Sequence, residues 1–318
     1  MKNIFKSIFS LSFIDDASQK PQAFERAKIA VQNFYYLQVP IAFINLMKIG
    51  AVDPERSGFL PIWPMTWAGS MPYSDTAKIV AIFYVAVALL SCIFWNKRIS
   101  KILVFLGIFQ VHALDSSFGY INHFYYLLLY ACFIFMFLPN TKHNENFNIE
   151  TAKKFLVVYW GALAAILMTY TLSGMWKIYW GVVTIIAGIP GSFSPYTFSE
   201  HVAKKTIIES RDYFFSDFVI SNPFLVWFSY LGTIYLEFFS IWVAFKPNLY
   251  KIWGLVLIFL HVGILLVMGI PFFESLLVLC ILMLNSPFTE GFPTIPQIIS
   301  DLPLVGNVWR MFRKKLAY

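Results

Sequence analysis

The chain has 318 residues, of which 58% are hydrophobic and only 13% charged, and its formal net charge is +7. A water-soluble domain carries about twice that charged fraction, because its surface must be hydrated. The composition therefore excludes both a soluble globule and a disordered chain. Cys92, Cys132 and Cys280 each lie in an apolar run without C-x-x-C spacing, which argues against disulfide exchange, iron–sulfur and c-type haem chemistry.

Eight stretches are apolar and long enough, or nearly so, to cross a bilayer as helices. The third and fourth, and the seventh and eighth, are joined by almost no loop, which predicts tight helical hairpins. We therefore predict an all-α integral membrane protein, a bundle of about eight transmembrane helices. The stretches are 29–49, 77–95, 101–119, 121–138, 155–180, 223–245, 251–269 and 271–286.

The segments outside the membrane domain 29–286 have their own patterns. Residues 1–28 and 287–318 are predicted to lie along the cytoplasmic surface as interfacial segments. Residues 50–76, rich in Pro, Gly and Trp, and residues 181–222 are predicted to form an external cap. The second segment contains a predicted helix at 197–211 with a polar run that includes His201. A structured cap without chemistry is the simpler interpretation of both.

The distribution of basic residues gives an independent test of this topology. Of the 24 lysines and arginines, 17 lie in alternate segments that include both chain ends, and four lie in the intervening segments. The positive-inside rule then predicts both termini in the cytoplasm and an even number of spans. Because the charge follows topology, the basic balance does not predict a nucleic-acid partner.

Lys177 is the most informative charged residue within a predicted span. At about 1.5 Å per residue it lies roughly 33 Å along the fifth helix, which is the outer interface. Trp176, Tyr179 and Trp180 surround it in sequence. Two interpretations stay open: a lysine extending to the interface within an aromatic belt, or a lysine sheltered beneath the cap and available as a base.

Other polar residues are predicted at two depths. Glu237 and His261 are placed near the midplane of the sixth and seventh helices. Taken together, these residues predict one hydrophilic cavity open to the outside, since charges in spans usually face a partner or water. No metal-binding motif is present. The residues predicted in the outer layer with Lys177 are Lys48, His112, Asp115, Asn122, His123 and Glu274.

Three stretches resemble the HTTM family, which shares its membrane domain with the vitamin K-dependent gamma-glutamyl carboxylase. The shared features are an Asn-His that opens one helix, a small-Gly-x-x-Lys motif that ends the next, an acidic residue that leads another, and a mid-helix His before a Phe-rich helix. The stretches are NHFYYLLLYACFIFMFLP (122–139), LSGMWKIYWG (172–181) and LEFFSIWVAFKPNLYKIWGLVLIFLHVGILLVMGIPFFESLLVL (236–279).

The resemblance implies a role for several residues. Lys177 matches the carboxylase's catalytic lysine, which deprotonates reduced vitamin K, and Glu237 and His261 are the other catalytic candidates. The candidate cofactor-binding residues are Trp176, His112, Asn122 and His123. The implied cofactor is a quinone or quinol, and the implied location is a bacterial inner membrane.

The carboxylase's assisting Asn-His pair has only approximate counterparts here, Asn140 and His143, which the topology places on the opposite side. The expectation is therefore a lipophilic, quinol-like ligand, or maturation of an exported peptide, rather than glutamate carboxylation.

Two other classes of function stay open. One is a non-catalytic membrane subunit that anchors or stabilises a membrane or exported protein partner through the Trp-rich outer segments. The other is a small-solute transporter, which would need a continuous path through both leaflets. Whether the protein is an enzyme is left open.

Overall fold

The computed structural model describes residues 10–50, 58–119, 125–141, 146–306 and 309. Within these ranges the chain is helical and contains no strand. Short 3₁₀ turns lie at Thr66–Ala68 and Pro247–Leu249, and a π-helical turn at Cys280–Leu284. The helices are α1 (Ser12–Ser18), α2 (Pro21–Gly50), α3 (Tyr73–Phe94), α4 (Arg98–Ser116), α5 (Tyr126–Phe135), α6 (Ile149–Ile186), α7 (Thr197–Glu209), α8 (Ser216–Ser221), α9 (Pro223–Phe238), α10 (Ser240–Val243), α11 (Tyr250–Met268), α12 (Phe273–Leu279) and α13 (Ile295–Asp301).

In the described part of the chain, four helical segments are long and apolar enough to cross a membrane, which fits an integral membrane protein in contact with lipid. They are Tyr73–Phe94, Arg98–Ser116, Ile149–Ile186 and Pro247–Met268. Two shorter apolar helical segments accompany them, Tyr126–Phe135 and Phe273–Leu284. At 38 residues, α6 is about 57 Å long and exceeds the roughly 30 Å of a hydrocarbon core.

Several predicted stretches have different bounds in the structure. The first begins earlier, because α2 starts at Pro21, and the predicted 223–245 helix is broken into α9 and α10. The last, 271–286, is an α-helix followed by the π-helical turn. Residues 1–9 of the predicted N-terminal segment and 51–57 of the first external segment lie outside the described residues. So do residues 120–124, which include the start of the predicted fourth stretch.

The chain divides into two compact units. The first, termed the N-terminal unit, consists of Ser12–Leu163 and Asn285–Phe288. The second, termed the C-terminal unit, consists of Met1–Leu11, Ala164–Leu284 and Thr289–Tyr318. The long helix α6 therefore contributes its first part to one unit and its second part to the other.

In the N-terminal unit, buried polar pairs lie within an apolar helical core. The hydroxyl of Tyr84 on α3 donates to the side-chain amide oxygen Oε1 of Gln38 on α2 at 2.8 Å. Gly107 lets α4 approach α3 closely, since a Cβ there would lie 2.9 Å from the Tyr84 ring. Lys101 is 1% exposed, and its ammonium donates to the Leu138 carbonyl at 3.3 Å. These two buried polar groups are thus hydrogen-bonded, as an apolar environment favours.

The C-terminal unit places α6 against α9, and residues 301 and 303 are hydrogen-bonded to α9 and α10. The hydroxyl of Tyr235 donates to the Pro303 carbonyl at 2.8 Å, and the Trp242 indole donates to the Asp301 carbonyl at 2.9 Å. Thr294 and Gln297 form a capping box at the start of α13. Residues 289–306 of the predicted tail therefore belong to this unit and are held there by specific hydrogen bonds.

Candidate functional site: a cavity beside the Lys177–Glu237 ion pair

The C-terminal unit contains a cavity of about 900 Å³. Most of its lining side chains are apolar or aromatic, with a few polar groups, which is the usual character of a small-molecule site. This differs from the hydrophilic cavity expected from the sequence. The lining residues are Trp176, Lys177, Trp180, Ser192, Thr197, Phe198, His201, Phe215, Phe218, Val219, Val226, Ser229, Tyr230, Thr233, Glu237, Leu260, Gly263, Ile264, Val267, Met268, Ile270 and Phe272.

An ion pair between Lys177 and Glu237 lies in the cavity wall. The Lys177 ammonium on α6 contacts both carboxylate oxygens of Glu237 on α9. The lysine side chain is 28% exposed and the glutamate 9% exposed, so the lysine is the more accessible partner. Ser173, one turn before Lys177, donates to Glu237 Oε2 at 3.3 Å. The sequence placed these two charges at different depths, whereas the structure joins them directly.

A glycine allows the two helices to approach so closely. A Cβ at Gly174 would lie 2.7 Å from the Phe238 Cα and 2.9 Å from the Glu237 carbonyl carbon. Only a residue without a side chain permits this backbone contact. Because Gly174 and Lys177 are three residues apart, they share a helix face, and the contact sets Lys177 opposite Glu237.

The break between α9 and α10 lies beside this contact. Helix α9 ends at Phe238, and the amide of Ile241, beyond the break, donates to the Thr171 hydroxyl at 2.8 Å. Thr171 is buried, so without this acceptor the amide would be left unsatisfied. The break is thus stabilised by a side chain from α6.

His261 forms a second buried polar contact on the same face of α6. Its Nε2 lies 2.6 Å from the Tyr170 hydroxyl, and it is 7% exposed. Its Nδ1 is buried and has no partner among the described residues. His261 packs against the Phe272 ring at 4.8 Å between centroids, and Phe272 lines the cavity. His261 therefore lies behind the cavity wall.

Aromatic side chains border the cavity where it is accessible. Trp176 and Trp180 line it and are exposed, and with Tyr179 they form a contact cluster with ring centroids 5.6–5.8 Å apart. Phe218 on α8 and Phe215, which directly precedes α8, also line the cavity and are exposed. Since these residues both line the cavity and are exposed, the cavity is open rather than enclosed.

Helices α7 and α8 form another wall of the cavity. Val202, Val219 and Val226 pack together with Phe198, Val267 and Met268. The Ser199 hydroxyl donates to the Val219 carbonyl at 2.8 Å, which joins α7 to α8. The Phe215 amide donates to the Leu266 carbonyl at 3.1 Å, which joins the same segment to α11. The predicted helix at 197–211 corresponds to α7, which ends two residues earlier.

The structure brings together Lys177, Glu237 and Trp176 at the cavity, and it places His261 behind the wall. His112 belongs to the N-terminal unit, where its ring lies 5.2 Å from that of Tyr126. Asn122 and His123 lie outside the described residues, so their predicted role stays a prediction. Of the predicted outer-layer residues, Lys48 is exposed and Glu274 is buried.

Sequence reasoning missed the residues that support the pair. Tyr170, Ser173 and Lys177 follow one another at spacings of three and four, which places them on one face of α6. From that spacing alone, Tyr170 and Ser173 could be predicted to face the same neighbouring helices as Lys177. Nothing in the sequence indicates that the Thr171 hydroxyl accepts a hydrogen bond from the backbone at a break in another helix. Among the described residues, no group of three or more His, Cys, Asp or Glu side chains could hold a metal ion.

A scan against protein-family models and searches of curated proteins and of solved structures find no match to this chain. The site must therefore be interpreted from its own geometry and chemistry.

Proposed function

We propose that the protein binds a lipophilic molecule with a planar, hydrogen-bonding headgroup, such as a quinol, in the cavity beside Lys177. The observation that carries the proposal is the combination of one accessible ion pair with largely apolar walls. Apolar walls favour the transfer of a hydrocarbon group from water, and the few polar groups orient the headgroup. The resemblance of 172–181 and 236–279 to the HTTM family supports the same ligand class.

The proposed chemistry is removal of a proton from a headgroup hydroxyl. Transfer of one proton from the Lys177 ammonium to the Glu237 carboxylate leaves a neutral amine on Lys177. That amine can accept the hydroxyl proton of a bound quinol, which restores the ammonium beside the new quinolate anion. General-base catalysis requires the base within hydrogen-bond reach of that proton, and Lys177 lines the space that the headgroup would occupy. Trp176 and Trp180 provide flat surfaces for stacking against a planar ring.

The proposal includes a membrane arrangement. We propose eight crossings, with both termini in the cytoplasm and with the segments 50–76 and 181–222 on the outer side of a bacterial inner membrane. The distribution of lysine and arginine supports this orientation. In this arrangement α7 and α8 are part of the external cap, and the cavity lies at the outer interface, where a lipid headgroup is found.

Ligand binding tests the proposal directly. The purified protein in lipid nanodiscs is titrated with a decyl naphthohydroquinone under nitrogen, and the ligand-dependent rise in unfolding temperature is measured, since a ligand that binds only the folded state stabilises it. The Lys177→Met variant should lose this rise. Lys204→Met removes a lysine from α7 that does not line the cavity, and it should behave as the wild type. No rise for the wild type, or an equal rise for Lys177→Met, would contradict the proposal.

A further inference from the structure

His201 is a polar residue of the cavity that the proposed chemistry does not use. It lies on α7, its side chain is exposed, and it lines the same cavity as Lys177 and Glu237. Its Nδ1 lies 2.7 Å from the carbonyl oxygen of Thr197, one turn earlier on the helix. Its Nε2 has no protein partner in the described ranges.

The Thr197 contact determines which nitrogen of the ring carries the proton. A carbonyl oxygen can only accept, so Nδ1 must be the donor in this bond. In a neutral imidazole the other nitrogen then has a lone pair and is an acceptor. His201 therefore presents an acceptor, and not a donor, at Nε2.

Two threonine hydroxyl groups of the cavity lining have already used their protons. The Thr197 hydroxyl donates to the Gly191 carbonyl, and the Thr233 hydroxyl donates to the Ser229 carbonyl at 3.1 Å. Each hydroxyl oxygen thus has only acceptor capacity left for a ligand. The two threonines, the Glu237 carboxylate and the Nε2 of His201 thus give the cavity lining several acceptors, whereas Lys177 is a donor.

The wall that holds His201 is fixed in place by several contacts. Phe198 on α7 stacks on Tyr230 of α9 with ring centroids 5.7 Å apart and 10° between planes. Ser199 is bonded to Val219, and Val202 belongs to the buried apolar cluster of this wall. The imidazole is therefore carried by a packed helix, and its own Nδ1 bond restricts the rotation of the ring. Such preorganisation lowers the entropy lost when a ligand binds.

We propose that His201 is a ligand-contacting residue that accepts, at Nε2, a hydrogen bond from a hydroxyl of the bound headgroup. The inference rests on the proposed function and adds a specificity-determining residue to its site. A ligand oxygen without a proton, placed beside Nε2, would leave the Nε2 lone pair without a donor. An unpaired polar group in a binding site lowers affinity, and a lost hydrogen bond of this kind lowers it about fivefold to tenfold.

The test compares two ligands that differ only in their donors. The wild type in nanodiscs is titrated with decyl naphthohydroquinone and with its dimethyl ether, in one buffer of about pH 8, and both dissociation constants are measured. We expect the wild type to bind the hydroquinone more tightly than the ether. In His201→Phe, which keeps an aromatic ring and lacks the acceptor, hydroquinone affinity should fall about fivefold to tenfold, whereas ether affinity should not fall.

Two further variants complete the experiment. Glu200→Ala changes the adjacent residue of α7, which does not line the cavity, and should keep the wild-type preference. His201→Leu also lacks the acceptor and replaces His201→Phe as the test if the phenylalanine variant does not fold; His201→Gln restores an acceptor oxygen and should recover part of the preference. An unchanged preference in the variants that lack the acceptor, with binding still dependent on Lys177, would overturn the role of His201 and leave the proposed function intact. Failure of the wild type to bind either ligand would overturn both.

Discussion

The hydroxyl of Thr171 accepts a hydrogen bond from the Ile241 amide at 2.8 Å, and so satisfies a backbone donor that the break after α9 removes from the helical ladder. An unpaired amide in an apolar environment costs free energy comparable to a lost hydrogen bond. A single side chain on one helix thus stabilises the irregular backbone of another.

The Thr171→Val substitution tests this role. Valine has nearly the same shape and cannot accept the bond, so we expect the free energy of unfolding to fall by about 1–3 kcal/mol. Thr169→Val is the matched control: the Thr169 hydroxyl bonds only the Ile166 carbonyl of its own helix, so its loss leaves no other donor unpaired. Chemical denaturation in detergent measures both. Equal effects of the two substitutions would contradict the role of Thr171.

The Lys177–Glu237 pair should show strong coupling. Removing one partner leaves the other charge poorly compensated in a largely apolar site, so Lys177→Met and Glu237→Gln should each destabilise the fold by about 1–3 kcal/mol. The double variant should be less destabilised than the two single effects together, because neither charge is then left without its partner. A double-mutant cycle on the free energy of unfolding measures this coupling. Additive effects would show that the contact contributes nothing.

The close approach at Gly174 should not tolerate a side chain. Gly174→Ala would force a Cβ against the Phe238 backbone, and we expect a loss of about 1–3 kcal/mol as the helices move apart. Gly232→Ala in α9 is the control, because a Cβ there meets no atom within 4 Å and alanine favours the helix. Unfolding temperatures of the two variants should move in opposite directions. A stable Gly174→Ala variant would contradict the contact.

The contacts at the end of α7 should make the stability of the fold depend on pH, on both the acid and the alkaline side. Hydrogen bonds from Lys205 and from the Tyr213 hydroxyl hold the pKa of Glu209 below its ordinary value of 4.5. The stability that Glu209 contributes is therefore present above that value and is lost as the pH falls through the lowered pKa. The same bond to Glu209 raises the pKa of Tyr213 above its ordinary 10.0, so its contribution is present below that value and is lost as the pH rises through the raised pKa.

The difference in unfolding temperature between the wild type and Glu209→Gln measures the acid side, and that between the wild type and Tyr213→Phe measures the alkaline side. Each difference should be largest between these two limits and should shrink beyond its own limit. Because the side chains are exposed, the differences should also decrease with added salt. A difference that stays constant across the whole pH range would contradict the network.

Composition and hydropathy predict that the protein is a helical membrane protein, because membrane-spanning helices need long stretches of mainly apolar residues. They locate α3, α4, α6 and α11 to within several residues. The break after Phe238 was not predicted, because it depends on Thr171 and Gly174 of another helix rather than on local residues. Helix breaks that are satisfied by a neighbouring helix are accessible only from the three-dimensional structure.

The candidate site was predicted in its residues more than in its geometry. Lys177 and Glu237 were selected because charges in apolar stretches are unfavourable without a partner. Counting residues from separate helix ends placed them at different depths, since each count carries its own error in the helix start. His201 was seen only as part of a polar run, because no sequence pattern shows that α7 forms a wall of the cavity.

Gly174 has a consequence for the reach of the lysine beyond the packing of two helices. Because Gly174 has no side chain, the backbones of α6 and α9 are in direct contact at this position. Main-chain contact alone therefore determines the distance between the two helices there. At Lys177, one turn further along α6, this distance determines how far the lysine side chain must extend to reach Glu237. It also determines how much of the side chain's length is left to contact a molecule in the cavity. A side chain at position 174 would draw the Lys177 amine away from the Glu237 carboxylate, so the geometry of this ion pair depends on a residue that takes no part in it.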